Sequence, residues 1–288
     1  MKHTSNKDVQ KWWADNPMTY GEIHGQDLYK NETFERGTKD FFKRIDQEFY
    51  SWNMPLHNKQ PFDRLFPYDE YKGKKVLEIG CGLGTMLMNW AQNGTDCTGV
   101  DLNPTSIEQT KKRFQLYDLK AQIQLEDANH LPFEDNSFDY VWSWGVLHHS
   151  PNLDKSVKEL FRVLKPGGGF GIMLYNRESL YQWYMTDFIE GFLHRESQFL
   201  NPLTLNSRYG DGHKEEGNPH TWPVTKAEGL QFIEPFSKDS RARILGTDLD
   251  CVFKLLFPGI GAHLPKPLIK AFARRWGWSL WFNGHKDV

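Results

Sequence analysis

Apolar positions along this chain alternate between two spacings, and the alternation sets the expected fold. Val76-Leu77-Glu78-Ile79 is a short, nearly continuous apolar run, and Thr95 to Val100, Phe138 to Trp144 and Phe170 to Tyr175 are others. Runs this short, rich in β-branched and aromatic residues, suit strands buried on both faces. Between the last two runs, Val157, Leu160, Phe161 and Leu164 recur at helical spacing behind Asn152, a good helix N-cap. Lys165-Pro166-Gly167-Gly168-Gly169 stops that helix before the fifth strand. Strand and helix signals in alternation predict one doubly wound α/β domain. Asn103-Pro104 caps the helix after the second strand, and Thr225-Lys226-Ala227-Glu228 reads as a capping box. Arg241 to Leu249 and Ser279 to His285 suit two last strands.

The first strand breaks into Gly80-Cys81-Gly82-Leu83-Gly84, three glycines at alternate positions. Glycine is needed where the backbone takes positive φ or approaches a ligand closely, and α/β proteins place nucleotides at this first turn. The Gly-x-Gly-x-x-Gly template of dinucleotide binding fails: its third position is Thr85 counted from Gly80 and Leu87 counted from Gly82. A nicotinamide dehydrogenase is therefore disfavoured.

Glu78-x-Gly80-x-Gly82-x-Gly84 resembles motif I of the class I S-adenosylmethionine-dependent methyltransferases, and the later motifs follow in order over residues 75–175. The resemblance implies a Rossmann-like, seven-stranded, mostly parallel sheet with an antiparallel last strand. It implies S-adenosylmethionine as cofactor, S-adenosylhomocysteine as product, and cofactor contacts from Glu78, Gly80, Cys81, Gly82, Gly84, Leu102, Ser143 and Trp144. Asp101 ends the second strand, where an ionised carboxylate can accept both ribose hydroxyls. Gln124 to Phe133 looks like the third-strand motif, and Asp127 with the Ala128 amide would then recognise adenine; a surface turn is the plain alternative. Nucleic-acid amino methyltransferases carry an Asp-Pro-Pro-Tyr-like tetrad where this chain has Ser143-Trp144-Gly145-Val146.

Residues 1–70 carry 13 aromatics, and Phe41, Ile45 and Phe49 repeat at helical spacing, which predicts a helical extension packed on the ligand-bearing end of the sheet. Beyond it, residues 71–288 form the expected methyltransferase domain. A second aromatic cluster, from Tyr175 through Tyr181, Trp183, Tyr184 and Phe188 to Phe199, falls in an expected substrate-covering insertion over about 176–224. Trp13, Tyr20, Tyr175, Tyr181 and Tyr184 are the candidate substrate contacts, although ordinary core packing accounts for many such rings. Arg208 to Pro219 is rich in turn formers and reads as a mobile linker.

A formal charge of −2 provides no broad basic footprint for nucleic acid. No apolar run approaches a membrane span, and Met1 to Lys7 lacks a signal-peptide core, so a cytoplasmic location is expected. Cys81, Cys97 and Cys251 have no metal-ligand spacing, and no metal is expected. Pro265 to Trp276 has the pattern of an amphipathic basic helix, which either touches anionic lipid or simply presents a solvated face.

For methyl transfer, orientation is the main task and a base is optional. His149, and after it His148, are the base candidates because imidazole titrates near neutrality just past the fourth strand; the plain alternative is that one caps the turn and the other packs against the cofactor. His213 and His220 are lesser candidates. The expected function is methylation of a small, partly apolar or aromatic acceptor at O, N or C. A cofactor-binding sensor or scaffold without turnover is the alternative, and oligomeric state stays open.

Overall fold

The computed structural model describes residues 4–20, 34–209, 217–246, 253, 256–257 and 259–288. Cys251, His213 and the end of the last-but-one expected strand lie outside the described residues.

Seven strands form one sheet in the order β3-β2-β1-β4-β5-β7-β6. They are β1 (Lys75–Ile79), β2 (Asp96–Asp101), β3 (Gln122–Leu125), β4 (Phe138–Trp144), β5 (Leu164–Tyr175), β6 (Arg241–Leu245) and β7 (Ser279–His285). The pairs within β1 to β5 are parallel, while β7 runs antiparallel to both β5 and β6. Helices α3 (Thr85–Gln92), α4 (Pro104–Leu116) and α5 (Leu153–Val163) are the crossovers, and α7 (Lys226–Ile233) precedes β6. Strand periodicity divides the core. Tyr140, Trp142 and Trp144 of β4 join one apolar layer, whereas Val141 joins the other with Leu77, Phe161 and Ile172. The first layer is strongly aromatic, with Trp90 stacked on Trp142 at 4.8 Å.

The caps read from sequence are in place. Asn103 accepts from the amides of Thr105 and Ser106, and Thr225 with Glu228 forms a reciprocal capping box. β5 differs from expectation: pairing resumes at Leu164, and the Pro-Gly-Gly-Gly segment is accommodated as an irregularity between the Phe138–Leu164 and Tyr140–Gly169 pairs. Glycine allows this because the chain can bend there without a side chain to bury.

The N-terminal extension is helical, with α1 (Asn6–Asp15) and α2 (Lys39–Trp52). Phe41, Phe42 and Ile45 of α2 pack against Leu83 of the glycine turn. The wholly buried Arg113 locks the same junction: its guanidinium forks onto Asp46 of α2 and donates to the Leu83 carbonyl at 3.1 Å and to Thr85 Oγ1 at 2.9 Å.

After β5 the chain winds into a π-helix (Gln182–Leu193), then α6 (Pro202–Tyr209). Residues 217–225 return across the end of β5, where the Val224 amide donates to Tyr175 O at 3.0 Å and the Trp222 amide to His148 O at 3.0 Å. Of the linker expected over Arg208 to Pro219, the described end is held as well, with the Asn218 amide donating to Ser207 O at 2.9 Å. Near the C-terminus, α8 (Lys266–Trp276) packs through Ile269, Phe272 and Ala273 on Phe253, against which Leu180 and Tyr181 also pack.

Candidate active site

The carboxyl ends of β1, β2, β4 and β5 converge where the strand order turns from β1 to β4, the position at which open α/β sheets take ligands. Gly80, at φ +82°, faces Val146: a Cβ built there would lie 2.2 Å from a valine methyl carbon. Gly82 differs. At φ +52° its missing Cβ points into open space, so this turn has room for a ligand above it.

Asp101 faces that turn. Its Oδ2 accepts the Gly82 amide and its Oδ1 the Asn103 amide, each at 2.8 Å. Each oxygen keeps a further lone pair, which is the acceptor set that a vicinal diol needs. Burial raises the Asp101 pKa, and the Asn103 and Gly82 amides oppose that rise. Below the turn, Glu78 is enclosed, its pKa is pushed up to about 8 by burial, and its Oε2 has no hydrogen-bond partner. Open space at Gly82, spare acceptor capacity on Asp101 and an orphaned carboxyl oxygen at Glu78 together fit a nucleoside bearing a cationic amino acid tail.

Asp127 lies beyond β3, with Oδ1 accepting from the Asn129 amide at 2.8 Å and Oδ2 accepting from Asn6 of α1. Gln10 of α1 donates to Leu102 O at 3.0 Å. Helix α1 is thus anchored to Asp127, assigned from sequence to adenine, and to Leu102, the neighbour of the ribose-assigned Asp101. Ala128 packs on the apolar layer beneath. The Ser143 hydroxyl is committed to Ile79 O at 2.9 Å, tying β4 to β1. The Trp144 ring belongs to the core, 5.3 Å from Phe62 and 5.8 Å from Trp281, and Cys81 is buried with its thiol pKa raised by burial.

A second set of groups lies past β4. The His148 ring is wholly buried, 3.8 Å from the Tyr175 ring and 4.3 Å from His149, and neither of its nitrogens has a partner. Burial, and then the neighbouring His149, hold its pKa well below the usual imidazole value. His149 has Nδ1 3.0 Å from both the His220 carbonyl oxygen and Thr221 Oγ1. A carbonyl only accepts, and the Thr221 hydroxyl donates to Asn218 Oδ1 at 2.8 Å, so Nδ1 carries the proton. In neutral His149 the lone pair is then on Nε2. Trp13 of α1 meets the His149 ring edge-to-face at 5.2 Å.

The substrate candidates separate into groups. Trp13 and Tyr175 flank the histidines, and Tyr181 joins them through Trp278, which lies 4.6 Å from Tyr175 and 4.9 Å from Tyr181. Tyr20 packs on Phe49 at 4.3 Å beside the glycine turn. Tyr184 faces the outer ridge instead, against Trp183 and Phe188. Thr221 and Asn218 were absent from the sequence reading, because nothing in a turn-rich stretch signals that it folds back onto a histidine. Among the described residues, no group of three or more His, Cys, Asp or Glu is placed to hold a metal.

A methyltransferase domain family matches residues 77–172. Methyltransferase GfsG of Streptomyces halstedii is 33% identical over 207 residues, covering 70% of this chain and 68% of its own. The sterol 24-C-methyltransferase of Schizosaccharomyces pombe is 34% identical over 49% of this chain and 35% of its own. The chloroplastic tocopherol O-methyltransferase of Arabidopsis thaliana is 38% identical over 39% and 33% respectively, so the chain spans about a third of the length of these two relatives. In fold, it is similar to a methyltransferase solved with the Haloferax volcanii Trm112 activator, at TM-score 0.59 and 18% identity over 88% of this chain and 96% of the other. The glycine turn, the acid at the tip of β2 and the relatives agree: this chain belongs to the class I S-adenosylmethionine-dependent methyltransferases.

Proposed function

We propose that the protein methylates an oxygen or acidic carbon on a small, largely apolar acceptor, with His149 as the general base. The observation that carries this reading is the hydrogen-bonded chain from His149 Nδ1 through Thr221 to Asn218, which fixes the tautomer with basic Nε2. The names of the sterol and tocopherol relatives support an apolar acceptor, as do the rings of Trp13, Tyr175 and Tyr181 around the histidines.

Asp101 would hold the ribose hydroxyls, Asp127 and the Ala128 amide the adenine, and Glu78 with the Gly80 to Gly84 turn the amino acid end. The bound cofactor supplies an electrophilic methyl group. His149 Nε2 takes the acceptor's proton as nucleophilic character develops, and the imidazolium keeps its Nδ1–H bonds to His220 O and Thr221. Neutral, buried His148 adds a polar edge without adding charge, suited to orienting a hydroxyl or carbonyl. We assign α1 and the rest of residues 1–70 as a lid over the cofactor, and 176–224 as the acceptor cover.

The test is turnover and cofactor affinity in His149→Gln. A fall in kcat of about a hundredfold or more with unchanged cofactor affinity is expected of a lost base. Full activity across pH 6–9 would remove His149 from the chemistry.

A further inference from the structure

Charge is distributed unevenly in this chain. The last 30 residues contain five Lys or Arg and one acid, Asp287, a net of +4, which leaves −6 on the first 258. Four of those cations, Lys266, Lys270, Arg274 and Arg275, belong to α8 and are all exposed. The helix holds them on one side because its other side, Ile269, Phe272 and Ala273, is spent on Phe253. At 100° per residue, Lys270, Arg274, Ala271, Arg275 and Leu268 follow one another around the outward arc, with no acid among them.

Large apolar groups flank this basic arc. Leu268 is 43% exposed, and just before the helix Ile260 is 67% and Phe257 51% exposed. Isolated exposed apolar residues are ordinary, but three beside a single-signed basic helix are not the pattern of a merely solvated face. No helix among the described residues is long and apolar enough to cross a membrane. An interfacial mode remains: cations at the headgroup phosphates, apolar side chains entering the acyl boundary.

We infer that α8, with the preceding Phe257 and Ile260, docks the protein on an anionic lipid bilayer. A nucleic-acid backbone would satisfy the cations equally but would leave Phe257, Ile260 and Leu268 in water. The inference stands apart from the acceptor proposed above, since it rests on residues outside the histidine cluster. Phe253 joins the docking helix to the segment that leads into the π-helix, because Ile269, Phe272 and Ala273 pack on it together with Leu180 and Tyr181.

The test is co-sedimentation of the full chain with phosphatidylcholine vesicles, with and without phosphatidylserine, alongside the triple variant Lys270→Gln, Arg274→Gln, Arg275→Gln. Each cation near an anionic surface contributes roughly fivefold, so the triple variant should bind phosphatidylserine vesicles about a hundredfold more weakly. Ile260→Ser should weaken binding further at high salt, where the apolar contribution dominates. Matching thermal melts and S-adenosylhomocysteine affinity would show that the variants are folded. Equal binding of wild type to both vesicle types, no binding to either, or complete displacement by a random-sequence oligonucleotide would each overturn the inference.

Discussion

Replacing Asp101 by alanine tests the cofactor assignment at its most loaded atom pair. In the wild type each carboxylate oxygen accepts one backbone amide at 2.8 Å and keeps capacity to accept one more hydrogen bond. If that capacity takes two ribose hydroxyls, the variant loses two hydrogen bonds to a charged acceptor, each worth about 1.5–3 kcal/mol. A net loss of about 3 kcal/mol corresponds to Kd rising roughly 150-fold. Stability falls too, because the Gly82 and Asn103 amides lose their acceptor, at a cost of about 1–3 kcal/mol. Calorimetric titration with S-adenosylhomocysteine, well below the melting temperature of both proteins, separates the two effects. Asp101→Asn should be intermediate: its carbonyl can still accept, but its amide nitrogen would confront an N–H donor. A lower melting temperature with an unchanged Kd would show Asp101 to be only a clamp for the turn, and would refute the ribose assignment.

Asp46→Ala leaves wholly buried Arg113 without its counter-charge, so urea denaturation should show a loss of about 3–5 kcal/mol, largely recovered by adding Arg113→Met. His148→Phe keeps the stack on Tyr175 and removes two unpartnered nitrogens; the apo protein should melt no lower than wild type while turnover falls, and a lower melting temperature would show that the imidazole has a hidden partner. His220 is held near a pKa of about 4, chiefly by burial, against 6.5 for the free side chain. The unfolded chain therefore takes the proton first, and stability that is complete above about 6.5 is lost as pH falls towards 4, a slope that His220→Gln should reduce. Glu78 runs the other way: with a native value of about 8 against 4.5, its contribution is complete below 4.5 and is lost as pH rises towards 8. Glu78→Gln should flatten that limb in a melting-temperature profile, and an unaltered profile would mean that Glu78 is ionised in the native state.

The sequence carried the cofactor half of this site because the positions involved are adjacent in the chain and need particular residue types. Glycines at 80, 82 and 84 all have positive φ, and the acid at 101 ends a strand. Caps at Asn103, Asn152 and Thr225 could be read for the same reason: the donors that they satisfy are two or three residues away. The acceptor half depends on long-range closure. Thr221 and His149 meet across 72 positions through side chains with no local signature, and the contact of Asn6 with Asp127 in the cofactor half, across 121, is equally non-local. Aromatic content in residues 1–70 and 176–199 announced packing, but nothing local separates Tyr175, beside the histidines, from Tyr184 on the outer ridge. The π-helix, in which Trp183 stacks on Phe188 five positions on, has no signature in the apolar spacing.

Transfer of label would show directly whether the protein methylates an apolar acceptor. The purified protein would be given methyl-deuterated S-adenosylmethionine and an apolar metabolite extract, with Asp101→Ala and His149→Gln in parallel, and the products read by mass spectrometry. A small, largely apolar product labelled on oxygen or carbon is expected from the wild type, strongly reduced in both variants. A labelled product that His149→Gln makes at the wild-type rate, or cofactor bound throughout with its methyl group intact, would contradict that expectation.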